Sequence, residues 1–256
     1  MTAHHDAVRQ SEEHLMNAWP SLRTLVSDGW VLREARGYTK RANSACALAA
    51  RGAFRPACEA TERFYASFGH PTIFRLTPLA GAEPDSILAD RGYAFVDETM
   101  VMTTALSCAA QTYPSVTISA QCTPAWEAGY ANAHHLDAEQ RYAHRAILDR
   151  IAPLATAYAT VHDGEHAIAF GLGVVERGRL GLFDIVTVPE ARRRGAARKL
   201  VGGLMGWGAR HHAHTAWLSV IADNHKALPL YAQLGFRELY RYHYRVGPRA
   251  SRVHGR

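Results

Sequence analysis

The residues best suited to chemistry lie in one run of the chain, from Asp184 to Val201. In that run an apolar stretch ends at Pro189, and a basic loop then leads through Gly195 into a helical pattern. A glycine at such a bend lets the backbone approach a ligand closely, and the free N–H groups of a helix start favour phosphate. Five basic side chains surround this point: Arg192, Arg193, Arg194, Arg198 and Lys199.

The run therefore predicts a pyrophosphate site, although it has neither the Gly-x-Gly-x-x-Gly pattern of dinucleotide-binding folds nor the Gly-Lys-Ser/Thr of P-loops. A solvated helix start that binds no ligand is the alternative interpretation.

Composition and charge limit what this site could bind. The chain has 256 residues, 48% hydrophobic and 20% charged, which is typical of a globular protein with one large domain or two modest ones. Its net charge is +6, and residues 111–256 hold 18 of the 29 basic side chains but 11 of the 23 acidic ones. We therefore expect an anionic partner in the second half. Nucleic acid is disfavoured, because no aromatic side chains interleave the basic cluster.

Other patterns exclude further classes. No run of about 18 uncharged apolar residues occurs, and the N-terminal segment is polar, so we expect neither a membrane span nor a signal peptide. The four cysteines form no C-x-x-C pair, which indicates reduced thiols in a cytoplasmic protein. The histidines of His211-His-Ala-His214 have no suitably spaced carboxylate, so we expect no metal site.

The elements that must position the basic loop fall into two halves. In the first half we predict helices over 12–25, 57–68 and 85–90, and strands over 30–35, 42–48, 72–76 and 98–106. Residues 107–115 have linker composition. We therefore predict domains at 1–110 and 111–246, followed by a flexible basic tail at 247–256.

In the second half, the basic loop connects a predicted strand to a predicted helix. Thr123-Pro124 is a helix-start signal, with threonine as N-cap and proline at the first helical position. The predicted strands cover 115–120, 156–162, 167–176, 180–188, 216–222 and 238–246. The predicted helices are one that begins at Thr123-Pro124, two over 137–151 and 194–210, and a segment ending at Gly235. Residues 87–95 and 230–238 share one pattern of short helix, glycine, aromatic residue and strand. This similarity predicts a degenerate duplication.

Two motifs carry a resemblance to a known family. Arg192-Arg-Arg-Gly195-Ala-Ala197 fits the Gln/Arg-x-x-Gly-x-Gly/Ala signature of the GNAT family of acetyl-CoA-dependent N-acetyltransferases. Downstream, Asn224-x-x-Ala-x-x-Leu-Tyr231-x-x-Leu-Gly-Phe236 fits a second family feature. Residues 115–246 thus resemble one GNAT domain, and the whole chain resembles bacterial tandem GNAT proteins. The first half has no Arg-x-x-Gly-x-Ala motif, so we expect that half to be a degenerate domain without a cofactor site.

The resemblance implies an α/β (α+β) fold of two tandem GNAT-like domains, each a mixed, mostly antiparallel twisted sheet flanked by helices. It also implies roles for residues that match the motifs. Main-chain groups of Val186 and Val188 would pair with the pantetheine amides of acetyl-CoA. Asn224 would contact the pantetheine arm or fix the following loop, and Tyr231 would lie near the thioester sulfur. The pyrophosphate would be held by the loop residues Arg193, Arg194, Gly195, Ala196, Ala197 and Arg198.

The chemistry implied is transfer of an acetyl group from acetyl-CoA to a primary amine of a small molecule or peptide. A tyrosine with a pKa of about 10 can protonate a leaving thiolate whose conjugate acid has a pKa of about 8.5. Asp184 is the candidate base, with Glu176 and His243 as further candidates.

Structural interpretations remain for each of these residues. Tyr231 could be a packing aromatic, Asp184 could serve a bulge, and Asn224 could be a turn residue. The alternative function is a non-catalytic acyl-CoA-binding or sensing module. Whether the protein is a monomer or a homodimer is left open.

Overall fold

The computed structural model describes residues 3–106, 113–151 and 154–248. These residues form two compact units. The first unit holds the chain up to residue 100 together with 221–223 and residues from 240 onward. The second unit holds 101–220 and 224–239. The predicted linker lies partly, and the predicted tail mostly, outside the described residues, so the domain boundaries stay a prediction.

The first unit combines three helices with short strands. Strands β1 (Arg23–Ser27), β2 (Trp30–Glu34) and β3 (Ala45–Ala47) pair antiparallel, and β3 pairs parallel with β4 (Ile73–Leu76). The C-terminal strand β11 (Arg237–Val246) pairs antiparallel with β4. Rings of Trp30, Phe54 and Phe74 meet in the core at centroid distances of 5.3–5.6 Å. The elements are α1 (Ala3–Ala18), β1 (Arg23–Ser27), β2 (Trp30–Glu34), β3 (Ala45–Ala47), α2 (Phe54–Ala66), β4 (Ile73–Leu76), α3 (Glu83–Asp90) and β5 (Ala94–Ala105).

The second unit is a sheet with helices on both faces. Its strand order is β10-β9-β8-β7-β6, in which β9 and β10 are parallel and the other pairs are antiparallel. Strands β5 and β11 each contribute residues to both units. The elements are β6 (Val116–Ser119), α4 (Pro124–Ala133), α5 (Ala138–Leu148), β7 (Ala155–Asp163), β8 (His166–Glu176), β9 (Arg179–Thr187), α6 (Ala196–Arg210), β10 (Thr215–Ile221), α7 (Leu228–Gln233) and β11 (Arg237–Val246).

The two faces of this second sheet are distinguished by alternate residues of β8. A Cβ on Gly171 or Gly173 would meet Leu200 and Leu204 of α6, whereas Phe170 contacts Gly129 of α4. Helix α6 therefore covers one face, and α4 covers the opposite face. Overall, the predicted α/β class, with mixed, mostly antiparallel strands flanked by helices, is confirmed.

Local signals explain the start of α4 and the end of α1. The Thr123 hydroxyl accepts a hydrogen bond from the Trp126 amide at 3.2 Å, which confirms the predicted cap of α4. The helix predicted over 12–25 is wrong in its bounds, because α1 ends at Ala18 and residues 23–27 form β1. Pro20 explains the difference, since a proline restricts the residue before it to extended conformations.

The same order of elements occurs in both units. A parallel strand–helix–strand is followed by a short helix, as β3–α2–β4–α3 and as β9–α6–β10–α7. Both short helices end alike, because the Tyr93 amide donates to the Leu88 carbonyl and the Phe236 amide donates to the Tyr231 carbonyl, each at 3.0 Å. Leu88 thus occupies in the first unit the place that Tyr231 occupies in the second. The repetition supports the predicted duplication.

A buried ion pair lies inside the first unit. Both guanidinium NH groups of Arg75 donate to the carboxylate of Glu12, and the Tyr240 hydroxyl donates to the same carboxylate. Arg75 also stacks over the Tyr242 ring, 4.0 Å from its centroid. Because such a pair loses its hydration, each partner depends on the other being present.

Within residues 3–106, 113–151 and 154–248, no helix is both long and apolar enough to cross a bilayer.

We predict strong non-additivity at this ion pair. Arg75→Met leaves the Glu12 charge buried and uncompensated, and should lower the free energy of unfolding by about 3–5 kcal/mol. The double variant Glu12→Leu/Arg75→Met should be less destabilised than Arg75→Met alone. Urea denaturation followed by circular dichroism measures these two variants and the single variant Glu12→Leu. Arg241→Met is the control, because it removes a half-exposed pair with Glu98 and should cost less than about 1 kcal/mol. Equal losses for the double variant and the sum of its single variants would contradict the prediction.

Candidate acyl-transfer site

The basic loop starts where β9 ends. After Thr187, residues 189–191 make a single 3-10 turn, and Arg193 and Gly195 both have positive φ angles, 63° and 79°. Gly195 is the N-cap of α6, and a Cβ built on it would meet nothing within 4 Å. Glycine is therefore favoured here by the backbone angle and not by lack of space. The first amides of α6 point out of the helix at an open position.

A cavity of about 860 Å³ lies at this loop. Among the residues that the structure describes, four cations line it, namely Arg192, Arg193, Arg198 and Lys226, and no acidic side chain does. Such a lining favours a ligand with several negative charges. The remaining lining residues are Thr187, Pro189, Ala191, Gly195, Ala196, Ala197, Leu230 and Gln233.

Most of the residues predicted for the pyrophosphate lie at this cavity. Five of the six do so, and Arg194 does not. Sequence reasoning missed Lys226, which comes from the turn before α7, and Gln233, whose amide oxygen accepts a hydrogen bond from Arg198. Lys226 lies two residues after Asn224 inside the second motif, so its position was a usable signal.

The pairing between β9 and β10 stops before either strand ends, and Thr187 at the end of β9 also lines the cavity. The two parallel strands pair from Thr215↔Arg179 to Leu218↔Leu182, and the pairing ends there although both strands continue. We call the region beyond the last pair the acyl slot. It is bounded by residues 183–187 of β9 and 219–220 of β10. Unpaired strand edges offer N–H and C=O groups to any extended chain placed between them.

The alternation of β9 decides which amides face the acyl slot. The Val188 amide donates to the Ile168 carbonyl at 3.0 Å, and Val186 lies opposite Phe170 in the β8–β9 ladder. Residues two apart direct their amide groups to the same edge, so Val186 and Val188 face β8. The implied pairing of their amides with pantetheine is at odds with this geometry. Thr187 has its groups on the slot side instead.

Asp184 lies at a β-bulge in β9. The register with β8 shifts between Phe170 and Leu172, so that Asp184 is the extra residue, with φ 53°. Its side chain turns to the face covered by α4 and α5. Tyr130 donates its hydroxyl to Oδ1 at 2.9 Å, and His144 Nε2 lies 2.7 Å from Oδ2.

These two hydrogen bonds fix the position of the Asp184 carboxylate. Because an ionised carboxylate only accepts hydrogen bonds, Nε2 of His144 carries a proton. The side chains of His144 and Asp184 are 1% and 8% exposed, and the Tyr130 ring lies between His144 and Trp126, with centroid distances of 4.6 and 5.3 Å. Neither Tyr130 nor His144 was predicted, since only the fold brings them to Asp184.

Tyr231 is buried in α7, 8% exposed. Burial raises the pKa of its hydroxyl to about 12. Among the described residues, no hydrogen-bond partner of this hydroxyl is found, and its ring packs edge-on against Phe236 at 6.0 Å. Tyr231 therefore stays a neutral donor throughout the ordinary pH range.

The other predicted residues have local partners. Asn224 is exposed and caps the turn before α7, where both its side chain and its carbonyl accept from the Ala227 amide. It orders the segment that carries Lys226. His243 belongs to the first unit and contacts Asp85 at 2.7 Å, and Glu176 lies 3.7 Å from Arg177. Across the part of the chain that the structure describes, no three histidine, cysteine or carboxylate side chains come together as metal ligands.

Comparison with known proteins places this geometry in a family. Residues 6–245 match the family model described as "Probable histone acetyltransferase Rv0428c C-terminal". The chain belongs to this acetyltransferase family. It is an acyltransferase enzyme of the GNAT class, and the resemblance found in the sequence is confirmed.

Relatives of this acetyltransferase cover nearly its whole length. YobR of Bacillus subtilis, named an uncharacterized N-acetyltransferase, is 29% identical over 248 residues, 94% of this chain and 99% of YobR. A GCN5-related N-acetyltransferase of Kribbella flavida superposes with a TM-score of 0.71 at 16% identity, covering 99% of this chain and 98% of that one. A tandem GNAT protein from the clavulanic acid biosynthesis pathway gives 0.65 at 11%, covering 94% and 88%. At such identities the two structures support the fold alone.

We predict that Asp184 stabilises the acetyltransferase through its two donors. Asp184→Ala removes the carboxylate that accepts from the His144 N–H and the Tyr130 hydroxyl, and should lower the free energy of unfolding by about 2–4 kcal/mol. Asp184→Asn keeps one acceptor oxygen and should cost roughly half as much. Thermal denaturation measures both variants, with Glu190→Ala, an exposed loop carboxylate, as the control. If Asp184→Ala loses no more stability than Glu190→Ala, the two hydrogen bonds to Asp184 do not stabilise the fold.

Proposed function

We propose that the protein transfers an acetyl group from acetyl-CoA to a primary amine. The cation-lined cavity that adjoins the acyl slot carries this proposal, because the two features match the two parts of one ligand. The cavity suits a pyrophosphate and the slot suits an extended amide-bearing arm. Acetyl-CoA combines both parts and supplies the activated acyl thioester.

The residues divide the binding between backbone and side chains. Amides from Arg193 to Arg198 at the start of α6 would hold the pyrophosphate, with the arginines and Lys226 neutralising its charge. The slot-side groups of Thr187 would pair with the pantetheine arm. The absence of acidic side chains from the cavity lining, within the described residues, supports a polyanion over a neutral ligand.

The side chains around the slot have complementary parts in the transfer. The amine attacks the thioester carbon, the C–N bond forms, and the C–S bond breaks with its electron pair leaving on sulfur. Asp184 accepts the proton from the amine nitrogen, since Tyr130 and His144 occupy only two of its roughly four lone-pair sites. Its buried position keeps that proton from exchanging with solvent during the step.

Tyr231 stabilises the departing sulfur as a hydrogen-bond donor. Its pKa of about 12 lies roughly 3.5 units above that of a thiol, so full proton transfer would cost about 5 kcal/mol. A neutral hydroxyl pointed at a developing thiolate still stabilises it by about 1.5–3 kcal/mol.

A coenzyme A release assay with amino acids, polyamines, aminoglycosides and peptide N-termini identifies the acceptor class. Acetyl-CoA binding without release for every amine would instead favour the non-catalytic acyl-CoA-binding module.

We predict that Gly195→Glu abolishes acetyl-CoA binding, because it places a carboxylate among the loop amides and strains a left-handed backbone position. Isothermal titration calorimetry with acetyl-CoA measures the loss, expected to exceed about 100-fold. Gly52→Glu is the matched control. Gly52 also has a positive φ of 72° with open space around it. It precedes α2 in the first unit, whose sequence has no Arg-x-x-Gly-x-Ala motif. Equal affinity of Gly195→Glu and Gly52→Glu would refute the assigned loop.

We predict that Tyr231→Phe lowers the rate of CoA release by about 10- to 100-fold with little change in acetyl-CoA affinity. Tyr142→Phe, an exposed ring of the same unit, is the control. The pH dependence of activity tests the direction in which the pKa of Tyr231 is shifted. The donor is the protonated hydroxyl, so activity should not fall through Tyr231 ionisation until the pH approaches 12, whereas a tyrosine of ordinary pKa would lose activity near pH 10. An alkaline decline near pH 10 that disappears in Tyr231→Phe would contradict this role.

A further inference from the structure

At the acyl slot, one buried hydroxyl has no hydrogen-bond partner among the described residues. The Oγ atom of Ser219 is shielded from solvent and makes no hydrogen bond within the described part of the chain. Leaving a buried polar group unpaired destabilises a folded protein, and native structures contain few such groups. Ser219 is the first residue of β10 beyond the paired segment, which ends at Leu218.

The face on which Ser219 lies follows from its neighbours. Trp217, two residues earlier, lies opposite Gly181 in the β9–β10 ladder and meets the Phe183 ring edge-on at 5.5 Å. Phe183 in turn lies opposite Leu172, which alternates with the glycines that face α6. Ser219 therefore lies on the face away from α6, the same face to which the Asp184 side chain turns.

This placement separates two kinds of group at the slot. Backbone amides of the strand edges lie in the plane of the sheet, where the extended arm of the acyl donor would pair with them. The side chains of Ser219 and Asp184 project out of that plane, from opposite sides of the slot. Both side chains therefore lie on one face of the sheet, one on each of the two strands that bound the slot.

We propose that the Ser219 hydroxyl binds the acceptor amine and, with Asp184, orients it for attack. This rests on the proposed function of the slot. The attacking nitrogen must direct its lone pair at the acyl carbon, so its N–H groups must point to acceptors. Oγ of Ser219 accepts one of them, and the Asp184 carboxylate accepts the other and takes the proton as the C–N bond forms. Ser219 itself makes and breaks no covalent bond.

If the unpaired hydroxyl serves a ligand, its removal should raise the stability of the free protein and lower the rate of acyl transfer. Ser219→Ala removes the unpaired group, so the melting temperature of the free protein should rise by roughly 2–5 °C. The same change removes a contact to the nucleophile, so acyl transfer should slow by about tenfold. A hydroxyl with a purely structural role would lower the melting temperature when removed.

The test needs no knowledge of the natural acceptor. Water and hydroxylamine serve as minimal nucleophiles, with thiol release from acetyl-CoA as the readout, and calorimetry gives the acetyl-CoA affinity. We expect Ser219→Ala to slow release to both nucleophiles while the affinity changes less than twofold. Ser219→Thr, which keeps a hydroxyl, should restore release to within about threefold. Thr215→Ala is the control, because it removes a hydroxyl from the paired end of the same strand and should change neither quantity.

Three results would overturn the assignment. Unchanged thiol release in Ser219→Ala shows that the hydroxyl does not contact the nucleophile. A loss of acetyl-CoA affinity matching the loss of rate shows that it contacts the donor instead. A fall in melting temperature shows that it is paired in the free protein. Failure of the unaltered protein to bind acetyl-CoA is a different outcome, since it overturns the proposed function and this assignment together.

Discussion

The bulge at Asp184 is the constraint on which the rest of the site depends. A regular β9 would continue its parallel pairing with β10, and every amide between them would be used within the sheet. One extra residue in β9 shifts its register with β8, and the paired segment with β10 ends two residues earlier, at Leu182. The left-handed conformation of Asp184 costs of the order of 1 kcal/mol, and the hydrogen bonds from Tyr130 and His144 offset that cost. Strain, open strand edges and a fixed carboxylate thus have one origin.

The first unit repeats the order of elements of the second unit but lacks the residues that form the candidate site. Each has a parallel strand–helix–strand followed by a short helix, yet the residue before α2 is Ala53 in extended conformation where α6 has Gly195. Leu88 stands where the second unit has Tyr231. The first unit instead contains the buried Glu12–Arg75 ion pair, which suits a packed interior and not a ligand.

Sequence patterns predicted most elements and the loop, because hydrophobic period and glycine position are local properties. Thr123 and Gly195 could be chosen from their local pattern, and Tyr231 from the motif that resembles the GNAT family. The partners of Asp184 could not, since Tyr130 and His144 are 54 and 40 residues away and meet it only through packing of α4 and α5. The direction of the Val186 and Val188 amides was also beyond the sequence. It depends on the register of β8, which a bulge shifts by one residue. Ser219 was missed because a lone serine in a strand has no local signal.

The four cations around the cavity have a kinetic consequence. Positive charge at the mouth of an open cavity produces a field that extends about one Debye length, roughly 8 Å at physiological ionic strength. A polyanion that diffuses within that distance is drawn toward the start of α6 before any contact forms, which raises the rate of productive collisions. The Arg198–Gln233 hydrogen bond holds one of these cations in place beforehand. Capture of a polyanionic ligand at this cavity is thus expected to depend on ionic strength.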